Sequence, residues 1–311
     1  MNRLPPWLEI PYAGLIADFD SGRLPHALLI HGPGGWGETG LAEALALRLI
    51  ECASKDASAA TIAHPDLRWI VPEGAGEQIK IETVRAVAEF IVRTPQNAPR
   101  KVAVITSADA MNGHSANALL KTLEEPPPDS YLILVSDSLR DLLPTLRSRC
   151  RLVPVRPPTA DATLEWIRER AAAANPEQIA ALCFEYGGAP YRVVAAIERD
   201  EQPICAALCS VAAGQTNPLS LAEAWAKEAP AELIDRWMRY VGRAIETRRT
   251  TNGPIDEPVT RAVEKASDRQ LFSLWEQLAR DRQLLRGTTN PNARLLYETR
   301  LLAWRNLTSS M

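Results

Sequence analysis

Two short stretches carry residue types suited to phosphate chemistry. Residues 31–40 read HGPGGWGETG, after the apolar run ALLI (27–30) and before the apolar-periodic stretch LAEALALRLI. Gly32, Gly37 and Thr39 fall on the pattern G-x-x-x-x-G-K-[ST]. In that pattern backbone N–H groups cradle phosphates, the Lys neutralises them and the hydroxyl meets Mg²⁺. Position 38, where the Lys belongs, is Glu. A carboxylate a few ångströms from a phosphate costs on the order of several kcal/mol at an effective dielectric near 20. The expectation is a former P-loop that binds no nucleotide, with Trp36 filling the space. The alternative is a glycine-rich turn that never bound phosphate. The second stretch is TLRSRC (145–150), where Arg149 is a fixed planar cation suited to phosphate oxygens. Its alternative is a surface arginine paired with a local acid such as Asp141.

These residues need a scaffold. ALLIH (27–31), VAVIT (102–106) and YLILV (131–135) are short, apolar and partly β-branched, with a further candidate at Leu67–Val71. They predict buried strands of a parallel sheet. Between them, Val84, Val87, Ala88 and Ile91 mark one face of a helix over 82–94, and Leu119, Leu120 and Leu123 mark another that Pro126–Pro128 stop. Strands alternating with helices imply a three-layer α/β domain. The strand VAVI runs into Thr106-Ser107 with no Asp-Glu pair to hold Mg²⁺; Asp109 lies three residues on and reads as a solvated loop acid. Beyond Pro157-Pro158 no strand is expected. Residues 159–199 read as short helices, and 219–248 and 259–306 as longer amphipathic ones, separated by TTNGPIDEP (250–258). The predicted division is an α/β domain at 1–157, a small helical domain at 158–204 and a helical domain at 205–311.

Composition sets bounds. The chain has 311 residues, 46% apolar and 23% charged, with a net charge of −3, which excludes a basic coat for nucleic acid. Five cysteines with no C-x-x-C pair predict reduced thiols. No apolar leader opens MNRLPPWLEI and no apolar run is long enough to span a bilayer, so a cytoplasmic protein with no membrane partner is expected.

The stretch HSANALLKTLEEPP (114–127), a buried strand and then Ser148-Arg149-Cys150 resemble the clamp-loader branch of the AAA+ proteins, as do HPD (64–66) and the opening PPWL. The resemblance implies an AAA+ domain with a small helical lid and a helical C-terminal collar. Motor subunits of that branch keep the Lys and an Asp-Glu pair. This chain lacks both, so the resemblance implies a non-catalytic subunit with neither ATP nor another cofactor. Arg149 would act as an arginine finger in trans on a neighbour's ATP, flanked by Ser148 and Cys150. The implied partners are one δ and three motor (τ/γ) subunits in a hetero-pentamer, the sliding clamp and primer–template DNA; Asn117 and Lys121 are the DNA-facing candidates. The rival expectation is a divergent ATP-hydrolysing motor. Many relatives carry a four-cysteine zinc module before HPD; here that interval holds only Cys52 and His64, so no zinc is expected.

Overall fold

A computed structural model describes residues 4–52, 58–74, 78–226, 230–249, 263–264, 266–286 and 291–309. They form two compact units, residues 1–166 with 189–191, and 167–188 with 192–311.

The first unit holds five strands: β1 (Ala27–His31), β2 (Leu67–Ile70), β3 (Lys101–Ile105), β4 (Ser130–Ser136) and β5 (Arg151–Pro154). All pair in parallel, in the order β2-β3-β4-β1-β5. Side chains alternate across a strand, and both sides of this sheet are buried. Leu28, Ile30, Val102, Val104, Ile133 and Val135 meet α1 (Pro6–Asp20) and α2 (Glu38–Leu49) through Leu8, Leu41 and Leu45. Leu29, Ala103, Ile105, Leu132 and Leu134 meet α3 (Ile81–Ile91) and α4 (Gly113–Glu124) through Val84, Val87 and Leu119. This is the expected three-layer arrangement. Helix α3 stops before the predicted Thr94. Pro95 disfavours helical backbone at the residue before it, and Val92 is the C-cap. Helix α4 starts at Asn112, whose side chain accepts the Ser115 N–H at 2.9 Å.

Strand β5 was missed by the apolar-run criterion. It is an edge strand, and only Val153 of its four residues is buried. A short helix, α5 (Pro144–Arg147), precedes it and carries the chain into Ser148-Arg149-Cys150.

The second unit is helical among its described residues. It contains the last turn of α6 (Ala160–Arg170) and most of α8 (Pro190–Glu198), together with α7 (Pro176–Glu185), α9 (Ile204–Ala212), α10 (Pro218–Trp225), α11 (Pro230–Arg249), α12 (Asp268–Arg286) and α13 (Ala293–Ser309). The predicted break at 250–258 lies outside the described residues. Aromatic side chains fill its core. Trp237 meets Trp225 and Trp304 edge to face at 5.8 and 6.1 Å, and the Trp304 indole N–H donates to the Leu208 carbonyl at 2.9 Å.

Candidate functional site

The loop after β1 has P-loop form. Gly34, Gly35 and Gly37 have φ of 82°, 79° and 102°, values open to glycine at little cost. Gly37 caps α2, and a Cβ there would lie 2.7 Å from Leu8. The Glu38 side chain folds back into this loop. It is 3% exposed; Oε1 accepts the Gly34 N–H at 3.1 Å and Oε2 accepts the Trp36 N–H at 2.9 Å. Oε1 also lies where a Cβ on Gly32 would be, only 2.2 Å away. Thus Glu38, rather than Trp36, sits over the loop amides. Trp36 is buried in the α1–α2 core, and its carbonyl accepts the Trp7 indole N–H at 2.8 Å. Thr39 is exposed on the first turn of α2.

The neighbouring strand ends are quiet. Thr106, where an acid would hold Mg²⁺, donates its hydroxyl to the Ile70 carbonyl at 3.1 Å. Asp109, expected as a solvated loop acid, instead sits half-buried in a 3₁₀ turn (Ala108–Ala110) after β3, with its Oδ1 buried and without a hydrogen-bond partner. Ser136 turns its hydroxyl onto the Ser138 carbonyl at 3.0 Å. His31 at the end of β1 has its pKa lowered by burial and by nearby Arg147, against an opposing pull from Glu38, so its ring is neutral at pH 7.

Arg149 lies at the other end of the sheet. Its Nε donates to Glu124 Oε1 at 2.8 Å, Nη2 donates to the same oxygen, and Nη1 donates to the Thr145 carbonyl at 2.9 Å. Its local acid is therefore Glu124, at the end of α4, and not Asp141. The side chain keeps 34% of its surface exposed. Ser148 is exposed and donates to the Thr145 carbonyl at 3.0 Å. The Cys150 thiol packs against the α3–α4 core, and burial pushes its pKa up to about 12. That is an inert thiol.

Asn117 and Lys121 are exposed one turn apart on α4. Lys121 makes no ion pair among the described residues. Among the described residues no hydrogen bond or ion pair joins them to Arg149 or to the loop after β1; they share a helix with Glu124.

One buried site was visible in the sequence only as the motif HPD. Asp66 is 0% exposed and accepts the N–H groups of Gln96, Asn97 and Ala98 at 2.8, 2.7 and 2.8 Å, and the Lys101 ammonium at 3.1 Å. Burial alone would raise its pKa. The three backbone donors and Lys101 outweigh burial and hold it well below the usual carboxylate range. The pair ties the loop before β3 to the approach to β2.

A family model for the DNA polymerase III delta subunit matches residues 9–159, and one for its C-terminal part matches residues 199–306. The DNA polymerase III subunit delta' of Pseudomonas aeruginosa is 30% identical, with 97% of each chain covered. The chain belongs to the δ′ family of DNA polymerase III. The δ′ protein of Escherichia coli is likewise 30% identical, over 96% of this chain and 94% of that one. Among solved structures, a gamma-subunit-related protein of Thermotoga maritima aligns over 94% of this chain and 99% of its own, with a TM-score of 0.51 at 19% identity. That likeness speaks to the fold alone.

For the zinc module, Cys52 and His64 lie among the described residues, whereas 53–57 do not. The His64 ring accepts the Asp66 N–H at 3.1 Å. No group of three or more His, Cys, Asp or Glu among the described residues is placed to hold a metal. No described helix is long and apolar enough to cross a membrane.

Proposed function

We propose that this δ′-family chain is the non-hydrolysing member of a clamp loader, and that it lends Arg149 to the ATP of a neighbouring motor subunit. One observation carries the reading. In the parallel register Arg151 of β5 lies opposite Leu28 and Pro154 opposite His31. Arg149 thus precedes the start of β5, whereas the chain's own P-loop follows the end of β1. At about 3.3 Å per residue the two are roughly 15 Å apart along the sheet. Arg149 cannot serve its own loop, and a phosphate in reach of it belongs to another chain. An arginine finger supplied in trans is worth on the order of 10³–10⁵ in kcat in other nucleotide hydrolases.

The carboxylate at position 38 and the absence of an acid pair after β3 support a chain that neither binds nor hydrolyses ATP. Zinc is likewise not part of the proposal. The assembly proposed is a hetero-pentamer with δ and motor (τ/γ) subunits that loads the sliding clamp on primer–template DNA in the cytoplasm. The 158–204 segment would serve as lid and 205–311 as collar. Asn117 and Lys121 are the proposed DNA-facing residues, because both are exposed.

The test is steady-state ATP hydrolysis by motor subunits, δ and this chain, with clamp and primed DNA, comparing wild type with Arg149→Ala. The expected result is normal assembly with a lower kcat. An unchanged rate in an assembled complex would remove the finger. Calorimetry on the isolated chain checks the rest: ATP binding there would make it a motor.

A further inference from the structure

We infer that Glu38 is a built-in occupant of the phosphate cradle, a side chain doing for this loop what the nucleotide does for an active one. The inference deepens the nucleotide-free reading above and rests on it. A P-loop is a concave run of backbone amides beside a helix N-terminus, and it is stable when an anion satisfies those amides. An empty one leaves buried N–H groups unpaired, at a cost comparable to a lost hydrogen bond for each. In this chain the amides of Gly34 and Trp36 both point at a carboxylate, one oxygen each. That carboxylate comes from the first residue of α2, where the helix dipole favours a negative charge. It is almost fully buried, as a bound phosphate would be.

The steric fit agrees. Gly32 has no room for a Cβ, and what stands in the way is the Glu38 Oε1. At the other rim Gly37 is closed by Leu8 and Tyr191, and the Tyr191 N–H donates to the Gly35 carbonyl at 3.1 Å. The loop is therefore folded around an anion and braced from outside. Substituting Glu for Lys does two things. It repels polyphosphate, and it supplies the negative charge that the glycine conformations need. The loop stays in its loaded shape at every ATP concentration.

The site that Glu38 masks takes a polyphosphate anion, so the probe is inorganic tripolyphosphate, tested on the full chain as wild type, Glu38→Ala and Glu38→Gln. Three results are expected. The wild type gives no calorimetric binding. Glu38→Ala binds tripolyphosphate at least tenfold more tightly than wild type, with an affinity that falls as salt rises. Tripolyphosphate raises the melting temperature of Glu38→Ala and not that of wild type. Hydrogen exchange read by mass spectrometry on the segment 32–38 gives a measurement without ligand: the protected Gly34 and Trp36 amides of wild type exchange faster in Glu38→Gln. A folded Glu38→Ala with no gain in affinity overturns the inference, as do amides equally protected in Glu38→Gln. Should Glu38→Ala not fold, the exchange experiment decides. Wild type that binds ATP sinks the nucleotide-free reading itself; wild type that is silent beside a silent Glu38→Ala sinks only the inference drawn from Glu38.

Discussion

The Glu124 carboxylate accepts two N–H groups of the Arg149 guanidinium, from Nε and Nη2, while the Thr145 carbonyl takes a third from Nη1. One N–H of Nη2 remains uncommitted. The last residue of α4 therefore orients the arginine at the sheet end without using up its donors. Both side chains are part-exposed, so their pairing contributes little to stability, on the order of 0.2–1 kcal/mol. Its consequence is directional. Glu124→Ala is expected to leave the melting temperature of the chain within about 2 °C of wild type and to lower kcat of the reconstituted complex. A rate equal to wild type would show that Arg149 needs no such guide.

Asp66 and Lys101 make the opposite kind of pair, buried and closed off from water. Breaking one partner of such a pair leaves an uncompensated charge and costs about 3–5 kcal/mol. Asp66→Ala is expected to lower the urea midpoint accordingly. The folded-state pKa of Asp66 is depressed, so its contribution is complete above the ordinary Asp pKa near 4 and is lost as pH falls below it. Stability measured from pH 6 downward should fall for wild type, and the variant should show a shallower fall.

His31 adds a second pH dependence at a higher pH. Its folded pKa is lowered, so folding favours the neutral ring. That contribution is present above the unfolded value near 6.5 and is lost as pH falls through and below it. His31→Gln should flatten the stability profile between about pH 7 and 5. An unchanged slope there would mean that the imidazole charges without penalty.

Arg236 is 2% exposed and anchors a network in the helical unit. Its Nε donates to Glu185 Oε2 at 2.8 Å, Nη1 donates to Glu201, and Nη2 also donates to the Gln202 carbonyl at 3.2 Å. The Tyr240 hydroxyl donates to Glu185 Oε1 at 2.7 Å and the Tyr186 hydroxyl to Glu201 Oε1 at 2.7 Å. Burial pushes both phenols well above their usual pKa, with the carboxylates adding to the shift. Arg236→Ala strands two carboxylates and is expected to cost about 3–5 kcal/mol, read as a lower thermal midpoint. A loss under about 1 kcal/mol would mean that water reaches the network.

Cys150 should resist alkylation. With its pKa pushed up to about 12, almost none of the thiol is thiolate at pH 8. Iodoacetamide is expected to label it only in denaturant, by peptide mass. Rapid native labelling would place the turn before β5 in water.

The sheet was legible where apolar runs are long enough to be buried on both sides, as in ALLIH, VAVIT and YLILV. It was illegible at β5, where an edge position asks for one buried residue, Val153. The loop was legible from glycine spacing, but the fate of Glu38 was not. The spacing says that a charge stands at the helix start, whereas the backbone reversal through Gly34, Gly35 and Gly37 decides that it points inward. Likewise Arg149 could be singled out from its motif, while Glu124 as its partner depends on α4 and α5 meeting across 25 residues of chain. The network at Arg236 left no signal, because its members are scattered over 50 residues with no common spacing.

The outer side of β5 makes the sheet unfinished. Among the described residues this strand pairs only with β1, and an unpaired strand is a template on which another chain can add itself. Four residues make a poor template. Pro154 brings no N–H, and Arg151, at the start of the strand, carries a charge that it shares with Asp18 at 2.6 Å. A growing stack of sheets finds little to hold there. The shortness of β5, its proline and its paired arginine thus keep this edge from adding further copies of the chain strand by strand.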